Sequence, residues 1–260
     1  MRLTHRLDGT EGRPVLVFGN SLGTTWELWD GQVAALADAW RIVRFDHPGH
    51  GRSPLPDGAL TVESIADAVL GLVDELGLER LTFCGLSLGG AVGMAAARLA
   101  PDRIERLVLC CTSARFGEPE GWHDRARLVR AGGTAVVAER VLERWFTDET
   151  RRTDTTTAAR FRTMLEAIPS EGYAACCEAL ALWDARGDLG AISARTLVVA
   201  GEQDVATPPA DGAFLAESIP GATLTVLPGA AHLANIEQPE LFERALVEFL
   251  STPTSTEEAA

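Results

Sequence analysis

The chain has 260 residues, 46% of them hydrophobic and 23% charged, which suffices for one large core with an insertion. Acidic residues number 37 and basic residues 23, a formal charge of −14, which argues against nucleic acid or an anionic membrane as partner because both are polyanions. Every basic residue is Arg, and the absence of Lys excludes Schiff-base, pyridoxal-phosphate, phosphate-loop and kinase mechanisms built on a lysine.

In chain order, short β-branched runs bounded by Gly, Pro or Asp predict strands over 14–18, 41–45, 81–84, 106–111, 196–200 and 224–227, with a short first strand in the run RLTHRL. Between them lie helical patterns. Residues 61–76 carry Val62, Ile65, Ala66, Val69, Leu72, Val73 and Leu76 at helical spacing, with Glu63 in the first turn and Gly77 as the stop. A closing helix is expected over 241–250, opened by Pro239. The alternation predicts an α/β fold, a mostly parallel central sheet with helices on both faces.

One stretch breaks the alternation. Residues 114–190 hold no good strand, but helical segments are predicted at 122–131, 134–146, 156–167 and 172–183. This reads as a helical cap inserted into a core formed by 1–113 and 191–250, with 251–260 a disordered polar tail. The insertion holds 11 Arg and 13 acidic residues, net −2, against −12 for the remainder. The N-terminus lacks the apolar segment of a signal peptide and no run approaches the roughly 18 apolar residues of a membrane helix, so the cytoplasm is the expected location. The five Cys, four of them in two adjacent pairs, have neither a disulfide nor a zinc pattern, so no metal is expected.

The strongest chemical signal is Gly85-Leu86-Ser87-Leu88-Gly89, between the strand at 81–84 and a helical run. Strand before and helix after make this pentapeptide a nucleophile elbow, in which the glycines leave room for a strained Ser. A Ser nucleophile needs a base, and the base an orienting acid. Asp204 follows the strand at 196–200 and His232 follows the strand at 224–227. Glu202 and Asp211 compete with Asp204, but the first Asp after the strand is preferred. The order Ser, Asp, His, each beyond the C-terminal end of a different strand, is that of the α/β-hydrolase fold. The oxyanion hole is expected from the Leu88 amide and from the loop after the first long strand, by the Leu22 amide with Ser21 as the alternative. The run Asp46-His47-Pro48-Gly49-His50-Gly51-Arg52-Ser53 is read as a structural turn near the site, with Asp46 tying the loop to its own backbone, rather than as a metal site.

The segments GNSLGTTWELWD, FDHPGHGRS, FCGLSLGG, LCCTSARFGEPEGW, ERWF, EGYAACCEAL and LPGAAHLANIEQP together resemble the 3-oxoadipate enol-lactonases of the β-ketoadipate pathway. The likeness runs from about residue 14 to 250 and includes the insertion. It implies hydrolysis of 3-oxoadipate enol-lactone during aromatic breakdown, without a cofactor. It also makes Trp145 a pocket residue. Two departures stand out: Pro48 occupies a position where such lactonases often have Arg, and the chain's length leaves no room for the carboxymuconolactone decarboxylase domain that some relatives carry. The substrate is a small anionic lactone, so an acidic protein needs a local cation to hold it. Arg115, just past a strand end, is the first candidate, and Arg144 beside Trp145 the next. A carboxylesterase, a perhydrolase and a carbon–carbon bond hydrolase remain open on the same site, as does a non-catalytic binder of a small ligand. Dehalogenase and epoxide hydrolase chemistry is disfavoured because position 87 is Ser rather than Asp. Assembly into a homo-oligomer is left open.

Overall fold

The computed structural model describes residues 1–252. Among these residues seven strands form one sheet: β1 (His5–Gly9), β2 (Val15–Gly19), β3 (Arg41–Phe45), β4 (Leu81–Leu86), β5 (Ile104–Cys110), β6 (Arg195–Gly201) and β7 (Thr223–Leu227). Their order is β1-β3-β2-β4-β5-β6-β7. Only the β1–β3 pairing is antiparallel. Helices α1 (Asp30–Leu36), α2 (Val62–Glu75), α3 (Leu88–Leu99), α9 (Pro209–Ser218) and α11 (Pro239–Ser251) accompany the sheet, together with the single turn α10 (Ala234–Glu237). Between β5 and β6 the chain forms α4 (Pro119–Gly132), α5 (Ala138–Trp145), α6 (Asp148–Thr153), α7 (Thr155–Glu166) and α8 (Ser170–Leu182).

The fold is the α/β arrangement expected from the alternating runs. Several boundaries differ from the expectation. The first strand begins at His5 rather than Arg2. The strand expected over 106–111 starts at Ile104 and ends at Cys110, because Cys111 takes a positive φ of 42° that no strand accommodates. The helix expected over 134–146 divides into a 3-10 turn at Thr134–Val137 and α5. The six-residue α6 is additional: its side chains are too polar to produce an apolar stripe, and Thr147 caps it by accepting from the Thr150 amide. Of the tail expected over 251–260, Ser251 belongs to α11, and residues 253–260 lie outside the described part.

The chain reverses direction across the sheet between β2 and β4, which flank each other with Gly19 opposite Gly85. Ligands of open α/β sheets gather where the strand order reverses, beyond the carboxyl ends of the strands. Two close backbone approaches build that point. A Cβ on Gly85 would lie 2.2 Å from the Gly89 carbonyl oxygen, and one on Gly89 would lie 2.2 Å from that of Gly19. The start of α3 therefore rests directly on the ends of β2 and β4. The layer of α4–α8 seats on the loop after β3 by the same means: a Cβ on Gly172 would meet the Gly49 carbonyl oxygen at 2.1 Å.

Replacing Gly89 by Ala therefore forces β2 and α3 apart. A destabilisation of about 1–3 kcal/mol is expected from overpacking a backbone contact. Urea unfolding measures it, and an unchanged midpoint would show that the approach is slack.

Candidate active site

Ser87 caps α3 in a backbone conformation of φ 56°, ψ −113°. Among the described residues it and Cys111 are the non-glycine positions with positive φ. Such a conformation costs on the order of 1–3 kcal/mol and persists only where its surroundings over-determine it. Here the Ser87 amide donates to the Cys110 carbonyl at 2.9 Å. The Ser87 carbonyl accepts from Thr112 Oγ1 at 2.7 Å and from the Ala91 amide at 3.0 Å. The side chain stands at the N-terminus of α3, where the helix dipole favours negative charge.

His232 and Asp204 come together as expected from their positions after β7 and β6. His232 Nδ1 donates to Asp204 Oδ2 at 2.8 Å, with both residues buried. A carboxylate only accepts, so this contact fixes the proton on Nδ1 and leaves Nε2 free as a base. Asp204 also accepts from the amides of Ala206 at 2.7 Å and Thr207 at 3.0 Å, and from Thr207 Oγ1 at 2.7 Å. Burial pushes its carboxyl upward, but His232 and the Thr207 bonds outweigh that, and it titrates below the ordinary aspartate value. The two competing acids lie elsewhere. Glu202 accepts from the exposed Gly229 amide, and Asp211 faces Ser113 from the first turn of α9.

Ser87 and His232 line one cavity with Ser21, Leu22, Thr207 and Ala206 from the sheet side. Phe116, Trp122, Arg125, Val141, Arg144, Trp145 and Tyr173 close it from the chain between β5 and β6. Leu88 is fully buried behind Ser87 as the first residue of α3.

The loop carrying Ser21 and Leu22 is held from below by the turn after β3. Gly23, at φ 84°, donates its amide to His50 Nε2 at 3.1 Å. His47 Nε2 donates to the Asn20 carbonyl at 2.7 Å, and the Gly89 amide reaches the same carbonyl at 2.9 Å. Asp46 Oδ2 accepts from the Arg52 amide of its own turn and Oδ1 from the Trp26 amide across the gap. The structural reading of this histidine-rich run matches these contacts. Its two imidazoles support the loop as neutral groups: burial lowers His47 to about 4, and burial plus the His47 neighbour lowers His50 to about 3.

The expected cations separate. Arg144 lines the cavity beside Trp145; burial, then the nearby Arg125 and Arg140 charges, lower its pKa. Arg115 does not reach the cavity: it pairs with Glu118 at 2.8 Å and lines a neighbouring surface groove with Arg186. Although Arg115 follows the end of β5, its side chain is drawn to Glu118 in the stretch before α4, which contains Gly117 at φ 64°. Sequence reasoning missed Arg125. Its guanidinium lies 5.3 Å from the Trp122 ring centre and 5.8 Å from that of Tyr173. Among the described residues no carboxylate is paired with Arg125 or Arg144. Tyr173, the chain's one tyrosine, is buried in the same wall, and burial raises its pKa, so its hydroxyl stays neutral. Tyr173 lies within the segment EGYAACCEAL, but no local pattern in the sequence pairs it with Arg125 on another helix.

A family model of the α/β hydrolase fold matches residues 14–239. The chain belongs to the α/β-hydrolase family. It is 39% identical to 3-oxoadipate enol-lactonase 2 of Acinetobacter baylyi, over 94% of this chain and 91% of the relative. Among solved structures, the enol-lactonase from Burkholderia xenovorans LB400 superposes with a TM-score of 0.94 at 42% identity, covering 96% of both chains. A malate-bound thermophilic esterase from Thermogutta terrifontis gives 0.89 at 35% identity, over 95% of this chain and 92% of that one. The resemblance to the enol-lactonases therefore holds over nearly the whole chain, and it places the protein among ester hydrolases. Among the described residues no helix is long and apolar enough to cross a membrane.

The neutral imidazoles give the fold a signed pH dependence. An unfolded histidine takes up a proton below about 6.5, whereas the native His47 and His50 resist it until about 4 and 3. Their contribution is complete above pH 6.5 and is lost as pH falls through that range, on the order of 3–5 kcal/mol each. Asp46, pushed up to about 6 by burial, works in the opposite sense and offsets part of the loss. Denaturant unfolding of His47→Gln between pH 7 and 4.5 should show a shallower acid decline than the parent. An equally steep decline would mean that native His47 is already protonated.

Proposed function

We propose that the protein hydrolyses a small lactone carrying a free carboxylate, of the 3-oxoadipate enol-lactone type, through an acyl-enzyme on Ser87. The observation that carries the reading is the cavity itself: a strained serine and a carboxylate-held histidine on one side, and two guanidinium groups without an acidic partner on the other. A half-buried cation without a counterion is costly unless a ligand supplies one. A ligand carboxylate fits that need. The similarity to enol-lactonases, and the malate held by the T. terrifontis esterase, support an anionic substrate.

In this reading Trp145 walls the flat ring and Arg144 and Arg125 hold the carboxylate, which sets the ring carbonyl near Ser87. His232 Nε2 takes the Ser87 proton as Oγ attacks that carbonyl. Asp204 keeps the imidazole oriented and stabilises its charged form. The Leu88 and Leu22 amides, with Ser21 the alternative to Leu22, stabilise the oxyanion. The ring C–O bond then breaks. The departing enolate is a weaker base than an alkoxide, and it stays tethered to the acyl group. The His232 imidazolium gives its proton to this enolate, which becomes a ketone that cannot re-close the ring and leaves His232 neutral again. Water, deprotonated by His232, attacks the acyl carbon and releases a dicarboxylate with Ser87 restored. The reaction belongs to aromatic breakdown in the cytoplasm.

The direct test is loss of the enol-lactone absorbance on adding the purified protein, beside a panel of neutral esters. Ser87→Ala should lower the rate by about 10⁴-fold or more with the fold retained by circular dichroism. A variant keeping a tenth of the parent rate would exclude Ser87 as nucleophile.

Carboxylate recognition has its own test. Losing one charge-assisted hydrogen bond worth roughly 1.5–3 kcal/mol should lower kcat/KM for the lactone about 10- to 150-fold in Arg144→Ala, with Arg125→Ala moving the same way. Hydrolysis of p-nitrophenyl acetate should be spared, and Arg115→Ala should change neither substrate. Equal losses on both substrates would make the arginines structural.

A further inference from the structure

The mechanism uses the imidazole of His232 but not the device that holds its backbone. Glu237, at the end of α10, splits its carboxylate between two parts of the chain. Oε2 accepts from the Ala231 amide at 2.6 Å, immediately before His232. Oε1 accepts from both the amide and the hydroxyl of Thr147 at 2.8 Å, where α5 passes into α6. On the other side of the histidine, the Leu233 amide donates to the Trp145 carbonyl at 3.0 Å. His232 is thus pinned at both flanking residues to the segment Trp145–Thr147. The Trp145 side chain lines the cavity with Ser87. Ala231, Leu233, Trp145 and Thr147 are all buried, so water cannot readily replace these bonds.

We infer that Glu237 is a positioning residue for His232, one that makes the place of the imidazole depend on the seating of the helical segment over the cavity. The Asp204 contact fixes the tautomer and the ring's rotation. Thr207 Oγ1, 3.3 Å from His232 Nδ1, adds to the hold on the ring, and the Gln203 amide holds the Ala230 carbonyl at 2.8 Å. None of these bonds reaches the amides on either side of His232, whose positions set the reach of Nε2 to Ser87. Glu237 and the Trp145 carbonyl hold those two amides. Misplacement of a reacting group by about 1 Å costs on the order of 100-fold in rate. The inference rests on His232 acting as the base of the proposed reaction, but not on the identity of the lactone.

Glu237→Ala and Thr147→Val test it in the full chain. Thr147→Val removes the hydroxyl donor and keeps the amide, and it is mild enough to fold where Glu237→Ala is not. Three readouts are taken per folded molecule: kcat and KM for the enol-lactone and for p-nitrophenyl acetate, the labelling rate of Ser87 with a fluorophosphonate, and the low-field proton signal of His232 Nδ1. Glu237→Ala should lower kcat about 10- to 100-fold on both substrates and slow labelling by a similar factor, with KM nearly unchanged and the Nδ1 signal broadened. Thr147→Val should shift each in the same direction by less. The double variant should lose little beyond Glu237→Ala, because the two residues share one contact. Glu237→Gln, which retains one accepting oxygen, should recover part of the rate. Lowered thermal stability with parent kcat and labelling in both variants would overturn the inference and leave Glu237 a fold-stabilising residue. A parent protein that labels with fluorophosphonate but does not open the lactone would refute the proposed substrate, and the labelling rates would still decide the role of Glu237.

Discussion

Three glycines meeting backbone to backbone set the geometry on which the rest of the site depends. Gly85 accepts the start of α3, and Gly89 on that helix lies against Gly19 at the end of β2. No side chain intervenes, so the turn between β4 and α3 has no slack, and Ser87 is driven to positive φ. The strain is balanced locally by the bonds to Cys110, Thr112 and Ala91. The same contact brings the loop after β2 beside Ser87, since the Gly89 amide and the Asn20 carbonyl are bonded. Ser87 and the loop of Ser21 and Leu22 are therefore not two independent placements. Both follow from how closely β2, β4 and α3 approach.

The turn after β3 extends this arrangement downward. His47, His50 and Asp46 look chemical, but each bonds to backbone of a neighbouring loop. A buried neutral imidazole suits that task because it donates at one nitrogen and accepts at the other, so it can hold two backbone groups at a fixed spacing. His50 does this between the Pro48 carbonyl and the Gly23 amide. Protonation would turn its acceptor into a donor facing an N–H, which agrees with its depressed pKa. The support of the loop of Ser21 and Leu22 and the depressed pKa of these imidazoles thus have one origin.

The elements whose signal is local were legible in the sequence. The elbow, the order of Ser87, Asp204 and His232, and the alternation of strands and helices all reside in short runs with a definite period or punctuation. Asp204, rather than Glu202 or Asp211, lies against His232, because the turn that places it there begins directly at the end of β6. The cavity wall was not legible in the same way. Arg115 and Arg125 lie in one stretch, both arginine and both near acidic neighbours in sequence. What distinguishes them is tertiary: Arg115 finds Glu118 one turn on, whereas Arg125 lies over Trp122 and Tyr173. Tyr173 comes from another helix, and its meeting with Arg125 depends on the extensive packing of α4 against α8. Glu237 was invisible for a related reason, since its partner Thr147 is 90 residues away.

Aromatic support is also what allows an acidic protein to keep a cation available. With 37 acidic residues in the chain, an exposed arginine readily finds a carboxylate, as Arg130, Arg151 and Arg162 do on the outside of the helical layer. An arginine stacked on ring faces is held without being neutralised. Arg125 is such a case, and Arg144 beside it is shielded by burial. The four residues from Arg144 to Thr147 then combine three tasks. In the proposed reaction Arg144 meets the substrate's charge and Trp145 walls its ring, while Trp145 with Thr147 holds the loop of His232 through main-chain bonds and Glu237. Recognition and proton transfer arise on distant parts of the chain but are fastened at this one turn. A shift of the helical segment that weakens the grip on the carboxylate therefore also displaces the base. Binding energy from a group remote from the reacting bond can in this way contribute to the alignment of the chemistry.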